Sequence, residues 1–332
     1  MIHYPLKECG CVIIGRNEGE RLVCCLTSVV DQFSIVVYVD SGSTDNSIEN
    51  AKSFGALVVQ LDMDQPFTAA RARNSGLAYL IQQMSSLEYV QFIDGDCELV
   101  STWPQAAFRF LDENPHYAIV CGRRRERNPE VSTFNQLCDM EWNTPIGEAS
   151  ACGGDAMMRV AAIKEVNAYN PILIAGEEPE MCHRLRIKGW KIYRLDEEMT
   201  LHDAAITKFS QWWKRVSRGG FAFALVSWLH RKSIPKIWVR ETLRPVFWGL
   251  ILPLVFILGL LSQIAILIVL PLILIFLLWI KITAKSLKSM SVTQSVKYGF
   301  FMVMAKFAEA TGVLKWLKDK MLQKRSTLIE YK

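Results

Sequence analysis

Two aspartates separated by one glycine are the residues of this chain best suited to binding a metal ion. Asp94 and Asp96 follow the apolar run 89–93, which predicts a buried strand that opens into a loop. Carboxylates at this spacing can hold one hard divalent cation, and the cation can hold a diphosphate. Because Asp-Gly-Asp is also common in ordinary turns, the pair alone does not decide between a metal site and a turn.

A second acidic pair, Glu177 and Glu178, is suited to proton transfer. Pro179 fits the first position of a helix predicted over 178–188, and a helix N-terminus favours ionised carboxylates. Adjacent carboxylates pack poorly in a core, and a general base must lie within hydrogen-bond reach of the hydroxyl that it deprotonates. The pair is therefore a candidate catalytic base, with a cluster that caps the helix as the structural alternative.

The first part of the chain alternates between strand and helix patterns. Strands are predicted over 11–14, 35–39, 56–61 and 89–93, and helices over 17–30, 43–53 and 69–84. This alternation predicts a doubly wound sheet of parallel strands, in which ligands bind beyond the carboxyl ends of the strands. Asp40 and Asp94 both lie at such ends, so the two acidic loops should face the same crevice.

Other side chains near this crevice could bind a nucleotide or a sugar. Asp40 could accept a hydrogen bond from a uracil-type ring N–H, or it could cap the following helix. Arg71 and Arg73 stand near the start of a helix, where a guanidinium can pair with a diphosphate or form a surface ion pair. Gly154 would let a sugar approach the backbone beside Asp155, whose carboxylate could bind sugar hydroxyls; a simple turn is the alternative.

The charge distribution separates an acidic region from a basic one. Residues 1–205 carry 18 Lys+Arg and 29 Asp+Glu, a net charge of −11, whereas residues 206–332 carry 20 and 4, a net charge of +16. The basic region contains the segment 246–280, which has no charged residue. A membrane with anionic headgroups is therefore a better partner for this region than nucleic acid.

The uncharged segment 246–280 is too long to be one membrane-spanning helix. A single helix of this length would extend about 52 Å, against a hydrocarbon core of about 30 Å. Two legs with a turn near 259–263 fit better, as a hairpin that spans the membrane or, alternatively, re-enters it. Basic residues such as Arg244 and Lys281 flank both ends, which predicts that both ends are cytoplasmic.

Seven short motifs occur in an order that is typical of one enzyme family. They lie at residues 12–18, 39–45, 72–76, 94–96, 153–155, 176–180 and 202–203. Over roughly residues 10–215 the chain resembles a family-two inverting glycosyltransferase. The resemblance implies an α/β fold of the GT-A type, with a Rossmann-like, mixed, mostly parallel sheet flanked by helices, followed by an all-helical membrane-associated region.

This resemblance also implies a division of the chain and a set of site residues. The predicted regions are a GT-A domain over 1–208, amphipathic interface helices over 209–244, a transmembrane or re-entrant hairpin over 245–281, and a basic amphipathic helix over 282–332. The predicted nucleotide-sugar contacts are Gly15, Asn17, Glu18, Asp40, Arg71, Arg73, Asp94, Gly154 and Asp155. Asp94, Asp96 and His202 would bind Mn²⁺ or Mg²⁺, and Glu178, with Glu177 beside it, would be the general base.

Two positions depart from the family pattern. The family usually has a second acid at position 41, where this chain has Ser41. The second acid of the catalytic pair is usually Asp, and Glu178 is one methylene longer. The first difference affects a contact to the base or ribose of the nucleotide, and the second affects the reach of the general base.

The sequence thus predicts a metal-dependent inverting glycosyltransferase at the cytoplasmic, or inner, membrane, with its catalytic domain in the cytoplasm. Nine cysteines without a Cys-x-x-Cys pair predict reduced thiols, in agreement with that compartment. The donor would be a nucleotide sugar, with UDP preferred, and the acceptor a glycan or lipid-linked hydroxyl used in polysaccharide or glycolipid synthesis. The alternatives are transfer to a polyprenyl phosphate and a non-catalytic, nucleotide-sugar-binding membrane subunit.

Overall fold

The computed structural model describes residues 6–323, which fall into two compact units that divide between Thr207 and Lys208. Residues 324–332 of the predicted basic C-terminal helix lie outside the described part of the chain. The strands of the first unit are β1 Leu6–Gly15, β2 Phe33–Asp40, β3 Leu57–Gln60, β4 Tyr89–Asp94, β5 Cys97–Leu99, β6 Tyr117–Glu126, β7 Gly147–Ala149, β8 Ala156–Arg159 and β9 Lys191–His202. Its helices are α1 Glu20–Val29, α2 Ser47–Ser53, α3 Ala69–Gln83, α4 Trp103–Glu113, α5 Thr133–Trp142, α6 Val160–Glu165 and α7 Glu177–Ile187.

The strands form one mixed sheet in the order β3-β2-β1-β4-β8-β6-β9-β5, with β7 paired to β9. Strands β3, β2, β1 and β4 are parallel, as their buried, β-branched sequences predict. Gly15 is in register with Asp40, and Ile14 with Asp94, so three strands end together at one edge. The acidic residues that end β2 and β4 therefore lie at the same edge of the sheet.

The second half of the sheet contains both strand directions. Strand β8 is antiparallel to β4 and β6, while β9 is parallel to β6 and antiparallel to β5. The β5–β9 pairing sets Cys97 opposite His202, which brings the end of β9 beside the Asp94–Asp96 loop. The predicted fold class, an α/β unit with a mixed, largely parallel sheet followed by an all-helical region, is confirmed.

Close packing of α3 on the sheet places this helix at the crevice. A side chain at Gly76 would collide with Val12 and Val39, so only glycine lets the helix approach β1 and β2 this closely. Thr68 caps the helix by accepting a hydrogen bond from the main chain of Arg71, at 3.1 Å. The N-terminal turns of α3 are thereby held beside the carboxyl ends of the strands.

Three predicted helix starts were wrong. The helix predicted over 17–30 begins at Glu20. The helix predicted over 43–53 begins at Ser47, because Asp40 Oδ2 accepts hydrogen bonds from the main chains of Gly42 and Ser43 and holds the preceding residues in a loop. The helix predicted over 178–188 begins one residue earlier, at Glu177. Gly176 precedes it with a φ of 80°, a left-handed conformation that glycine adopts without strain.

The second unit is all helical. It contains α8 Phe209–Leu229, α9 Val239–Val246, a π-helical turn Phe247–Ile251, α10 Leu252–Ser262, α11 Ala265–Ser286 and α12 Val292–Met321. The continuous segment Val239–Ser262 and the helix Ala265–Ser286 are long and apolar enough to cross a membrane, and few of their residues are buried. The two segments form a helical hairpin that turns at Gln263 and Ile264.

Candidate active site

Asp94, at the end of β4, lies between two arginines. Arg73 Nη2 donates a hydrogen bond to Asp94 Oδ1 at 2.8 Å, and Arg124 Nη2 lies 3.6 Å from Asp94 Oδ2. Burial alone would raise the pKa of this carboxyl, but the two guanidiniums hold the pKa below its ordinary value. Asp94 is therefore ionised at neutral pH.

Arg73 connects Asp94 to the predicted base. It is 3% exposed, and its Nη1 lies 3.1 Å from Glu177 Oε1 and 2.8 Å from Glu178 Oε1. Its guanidinium also lies over the ring of Tyr169, 5.6 Å from the ring centroid. One buried cation thus joins three carboxylates contributed by β4 and the N-terminus of α7.

Glu178 has the protonation behaviour of a base that works near neutrality. Burial is the main cause that raises its pKa to about 7, and the neighbouring Glu177 adds to the rise, whereas Arg73 opposes it. A general base is most effective when its pKa is close to the operating pH. This property singles out Glu178 among the carboxylates at the crevice.

Asp155 is fully buried and organises the opposite wall of the crevice. Its Oδ1 accepts the main-chain N–H of Asp94 at 3.1 Å, and its Oδ2 accepts from the Thr200 hydroxyl at 2.8 Å and forms an ion pair with Arg124 Nη2 at 2.7 Å. The four groups tie the ends of β4, β6 and β9 together. In this arrangement the Asp155 carboxylate supports Asp94 and Arg124, and its oxygens are already hydrogen-bonded.

Gly154 leaves space for the Arg73–Asp94 ion pair. A Cβ atom at this position would lie 2.5 Å from Arg73 Nη2 and 2.9 Å from Asp94 Oδ2. A Cβ atom at the preceding Gly153 would meet nothing within 4 Å. The need for glycine at 154 therefore comes from the two charged side chains that pass beside it.

Asp96 and His202 form the group of side chains best suited to a metal ion. His202 Nε2 lies 3.3 Å from Asp96 Oδ1, with Cys97 Sγ close by, and both residues are buried. His202 Nδ1 is buried and has no hydrogen-bond partner among residues 6–323. Trp142 packs edge-to-face on the imidazole at 4.6 Å between ring centroids. An oxygen and a nitrogen ligand at this distance suit Mn²⁺ or Mg²⁺ with further ligands from water and phosphate.

Asp94, the third predicted metal ligand, has different neighbours. It groups with Asp155 and Cys97 rather than with the Asp96–His202 pair, and its oxygens face Arg73 and Arg124. The structure thus brings Asp96 and His202 together as predicted, and it sets Asp94 on the side of the crevice that holds the arginines.

The loops after β1 and β2 are locked to each other by their own polar groups. Asn17, which has a φ of 55°, accepts from the main chain of Thr44 at 2.7 Å, and the main chain of Ser41 donates to Gly15 at 3.1 Å. Asp40 is 2% exposed, and Tyr38 donates to its Oδ1 at 3.1 Å. These residues shape the floor of the crevice beside the strand ends.

The two remaining predicted contact residues are held by local interactions. Glu18 forms an ion pair with Arg21 at 2.8 Å and packs against Gly95 in the loop after β4. Arg71 donates to the main-chain oxygens of residues 62, 65 and 66 and so holds the loop that precedes α3. Arg71 points to this loop, whereas Arg73 points to the acidic centre.

Sequence reasoning missed the residues that complete this network. Arg124, Thr200, Trp142 and Tyr169 contact the predicted site residues, yet none belongs to a short motif. Arg124 has one sequence signal, because it is the middle of three arginines in a strand, and alternation sends it to the opposite face from its neighbours. The others come from α5, β9 and a loop, and only the tertiary fold brings them to the crevice.

The site contains more carboxyl groups than guanidinium groups. Asp94, Asp96, Asp155, Glu177 and Glu178 are the carboxyl groups, and Arg73 and Arg124 are the guanidiniums that face them. The carboxyl groups outnumber the facing guanidiniums by five to two, so a divalent cation would reduce the repulsion among them.

Comparison with known proteins finds a family match over part of the chain and a shared fold. Residues 11–166 match the family described as Glycosyl transferase family 2. A TPR repeat-containing protein of Synechococcus elongatus is 29% identical over 136 residues, which are 41% of this chain and 31% of that protein. The chain thus matches about a third of the length of this curated relative.

Two solved structures share the fold at low identity. A mannosyltransferase from Pyrobaculum calidifontis, solved with GDP-Man and Mn²⁺, has a TM-score of 0.61 and 12% identity, covering 96% of this chain and 88% of that one. Residues 1–349 of TarS from Staphylococcus aureus have a TM-score of 0.51 and 14% identity, covering 96% and 92%. At such identities the likeness establishes the fold alone.

Proposed function

We propose that the chain is a family 2 glycosyltransferase, which transfers a sugar from a nucleoside diphosphate sugar to a hydroxyl acceptor with inversion at the anomeric carbon. The observation that carries the proposal is the Arg73 bridge. One buried guanidinium contacts Asp94 on the predicted donor side and Glu178 on the predicted acceptor side. The donor and the base would then lie on the two sides of one reaction centre, as in-line displacement requires.

Each group has a defined task in this proposal. Glu178 accepts the proton of the acceptor hydroxyl, and its pKa of about 7 suits that transfer at neutral pH. Arg73 orients the Glu178 carboxylate, and Gly154 leaves the space that the Arg73–Asp94 pair needs. A phosphate acceptor is already ionised and needs no base, so the Glu178 site favours a hydroxyl acceptor over a polyprenyl phosphate.

We further propose that activity depends on Mn²⁺ or Mg²⁺ held by Asp96 and His202. When bound, the ion would stabilise the negative charge of the departing nucleoside diphosphate. The 3.3 Å separation of His202 Nε2 and Asp96 Oδ1 and the excess of carboxylates support this proposal, as does the Mn²⁺ in the similar mannosyltransferase structure. For the donor base, Asp40 supports uridine, while the GDP-Man in that structure makes guanosine the competing choice.

The second unit supports a membrane location for the reaction. Its apolar hairpin and the net charge of +16 over residues 206–332 suit an anionic, cytoplasmic membrane face. We therefore propose a glycan or lipid-linked acceptor at the inner face of the cytoplasmic membrane, in polysaccharide or glycolipid synthesis, with the catalytic unit in the cytoplasm.

A donor panel tests the proposed activity. The full chain in lipid vesicles would receive UDP- and GDP-sugars with Mn²⁺, Mg²⁺ or EDTA, and a lipid extract as acceptor, and released nucleoside diphosphate would be measured. We expect turnover of one donor, abolished by EDTA and by Asp96→Asn and retained in Asp64→Asn, a change in an exposed loop. Turnover that persists in EDTA, or a chain that binds every donor without transfer, would contradict the proposal.

A further inference from the structure

The apolar hairpin has a tip that is poorly suited to water. The chain turns at Gln263 and Ile264, and Leu261 beside the turn is 78% exposed. The hydroxyl of Ser262 donates back to the main chain of Leu258 at 2.7 Å, so it offers nothing to solvent as a donor. No charged residue lies within 246–280. The apolar side chains at this tip, such as Leu261 and Ile264, gain free energy by staying in hydrocarbon, against the cost of desolvating the Gln263 amide.

Helix α12 crosses both legs of the hairpin at the same height. The backbone of Lys306 touches Gly249 on the first leg, and Gly299 packs against Trp279 and Thr283 on the second leg. From Gly299 to Lys306 the helix advances about 10 Å, which equals the usual distance between the axes of two packed helices. Helix α12 therefore runs across the two legs and not along them.

The crossing point fixes how far the hairpin extends. Gly249 lies 14 residues before Gln263, and Trp279 lies 15 residues after Ile264. At 1.5 Å per residue, the legs extend about 21–23 Å beyond α12. A hydrocarbon core is about 30 Å thick. If α12 lies at the membrane surface, the tip stops about 7–9 Å short of the opposite interface.

The charges of α12 keep this helix out of the hydrocarbon. Lys306 pairs with Glu309 at 2.7 Å, and Lys315 pairs with Asp319 at 2.7 Å. Charged groups are costly at membrane depth, whereas an interfacial helix carries them on its polar face. The level of Gly249, next to Lys306, is therefore the interface and not the membrane interior.

Aromatic and basic groups at the far ends of α8 and α12 agree with an interfacial position. Trp228 and Trp316 lie 6.2 Å apart, and Lys320 Nζ lies 2.9 Å from the centre of the Trp228 ring. Arg231 covers the same ring at 4.1 Å. Tryptophan and basic side chains are enriched where headgroups meet hydrocarbon.

We propose that the second unit is a monotopic anchor, whose hairpin enters the hydrocarbon core, passes its midplane and returns to the same face while α12 lies in the interface. The partner is the acyl region of a single bilayer, entered from the cytoplasmic side. The preferred reading from length and composition was a spanning hairpin; the crossing of α12 favours the re-entrant alternative. The topology of the anchor does not depend on the proposed transferase activity, so each can be tested without the other.

Cysteine accessibility tests this topology. Cys24, the one cysteine of the nine that is not buried, would be changed to serine, and Gln263→Cys or Ser289→Cys added to the full chain. Each protein would be inserted into preformed vesicles and treated with a membrane-impermeant maleimide, supplied either outside or sealed in the lumen. We expect the external reagent to label Ser289→Cys. Labelling of Gln263→Cys, from outside or from the lumen, should be at least ten-fold below the level reached in detergent.

Labelling of Gln263→Cys from the lumen would overturn the proposal, because only a spanning hairpin presents its tip there. A second variant covers the case in which the tip cysteine reacts poorly even in detergent. A short charged epitope inserted after Gln263 should detach the chain from the vesicles, since charge cannot stay in hydrocarbon. An epitope that remains membrane-bound and is recognised by antibody sealed in the lumen would equally refute the re-entrant topology.

Discussion

Replacing Glu178 by glutamine tests the assignment of the general base most directly. The amide keeps the size of the side chain and can still accept a hydrogen bond from Arg73, but it cannot take a proton. Loss of general base catalysis typically lowers the rate 10²–10⁴-fold. We expect a fall of about this size in kcat/KM for Glu178→Gln, with little change in KM for the donor.

The pH dependence follows from the pKa of Glu178, which burial and Glu177 raise to about 7. The ionised fraction then rises from about 0.1 at pH 6 to about 0.9 at pH 8, so kcat/KM should increase roughly ten-fold over this interval. This acidic limb of the pH profile comes from protonation of the Glu178 carboxylate. The profile of Glu178→Gln should therefore lack it. Glu178→Asp, which keeps the charge but shortens the side chain, should retain the limb at a reduced rate.

The same pKa predicts how the stability of the protein depends on pH. The native pKa of about 7 lies above the ordinary value of 4.5, so the folded state binds the proton more tightly. Its contribution to stability is complete below about pH 4.5 and is lost as the pH rises through 7. At 1.36 kcal/mol per unit the loss is about 3 kcal/mol. Thermal unfolding at pH 5 and pH 8 should show a smaller decrease for Glu178→Gln than for the wild type.

The kinetic assay would measure release of nucleoside diphosphate from the donor identified in the panel, between pH 5.5 and 8.5. Dependence on acceptor concentration would separate transfer from hydrolysis. A Glu178→Gln protein that kept wild-type kcat/KM and the same acidic limb would refute the assignment. It would favour an acceptor that is already ionised, such as a polyprenyl phosphate.

Three further predictions concern the metal site and the close contacts made at glycines. Gly154→Ala should lower kcat/KM at least about ten-fold because its methyl group would displace an ion pair, whereas Gly153→Ala should leave activity unchanged. His202→Gln should weaken activation by Mn²⁺ more than by Mg²⁺ in metal titrations, because imidazole is the softer ligand. Gly220→Ala should lower the unfolding temperature by several degrees, because the new Cβ would collide with the backbone of α12. At Gly219 a Cβ has no neighbour within 4 Å, so Gly219→Ala should leave the unfolding temperature unchanged. Equal effects within either glycine pair, or an unaltered metal preference, would contradict the corresponding assignment.

The parallel half of the fold was predictable because its signals are local. Each strand is a short buried run, and Asp40 and Asp94 mark the ends of two such runs. Strand ends in a parallel sheet share one edge, so the meeting of the two acidic loops followed from the alternation of elements. The start of α2 was not predictable in the same way, because Asp40 and Asn17 hold the main-chain N–H groups of residues 42–44 in a loop.

The mixed half of the sheet carried weaker signals. Strand β6 pairs in parallel with β9 through several register shifts, which no sequence pattern encodes. Two consequences for the site depend on this pairing. It sets Arg124 of β6 beside Thr200 of β9, and both contact Asp155 Oδ2. It also delivers His202 to Asp96, a proximity that the family resemblance implied but that residue spacing alone could not give.

Arg73 illustrates why a motif can locate a residue without revealing its task. From the sequence, a guanidinium near a helix start was equally compatible with a diphosphate contact and a surface ion pair. In the structure it is buried against Asp94, Glu177 and Glu178, so removing it would leave uncompensated carboxylates in a low-dielectric crevice. The position of the base and the charge state of the donor side are thus coupled through a single side chain, and substitutions at either end should perturb both.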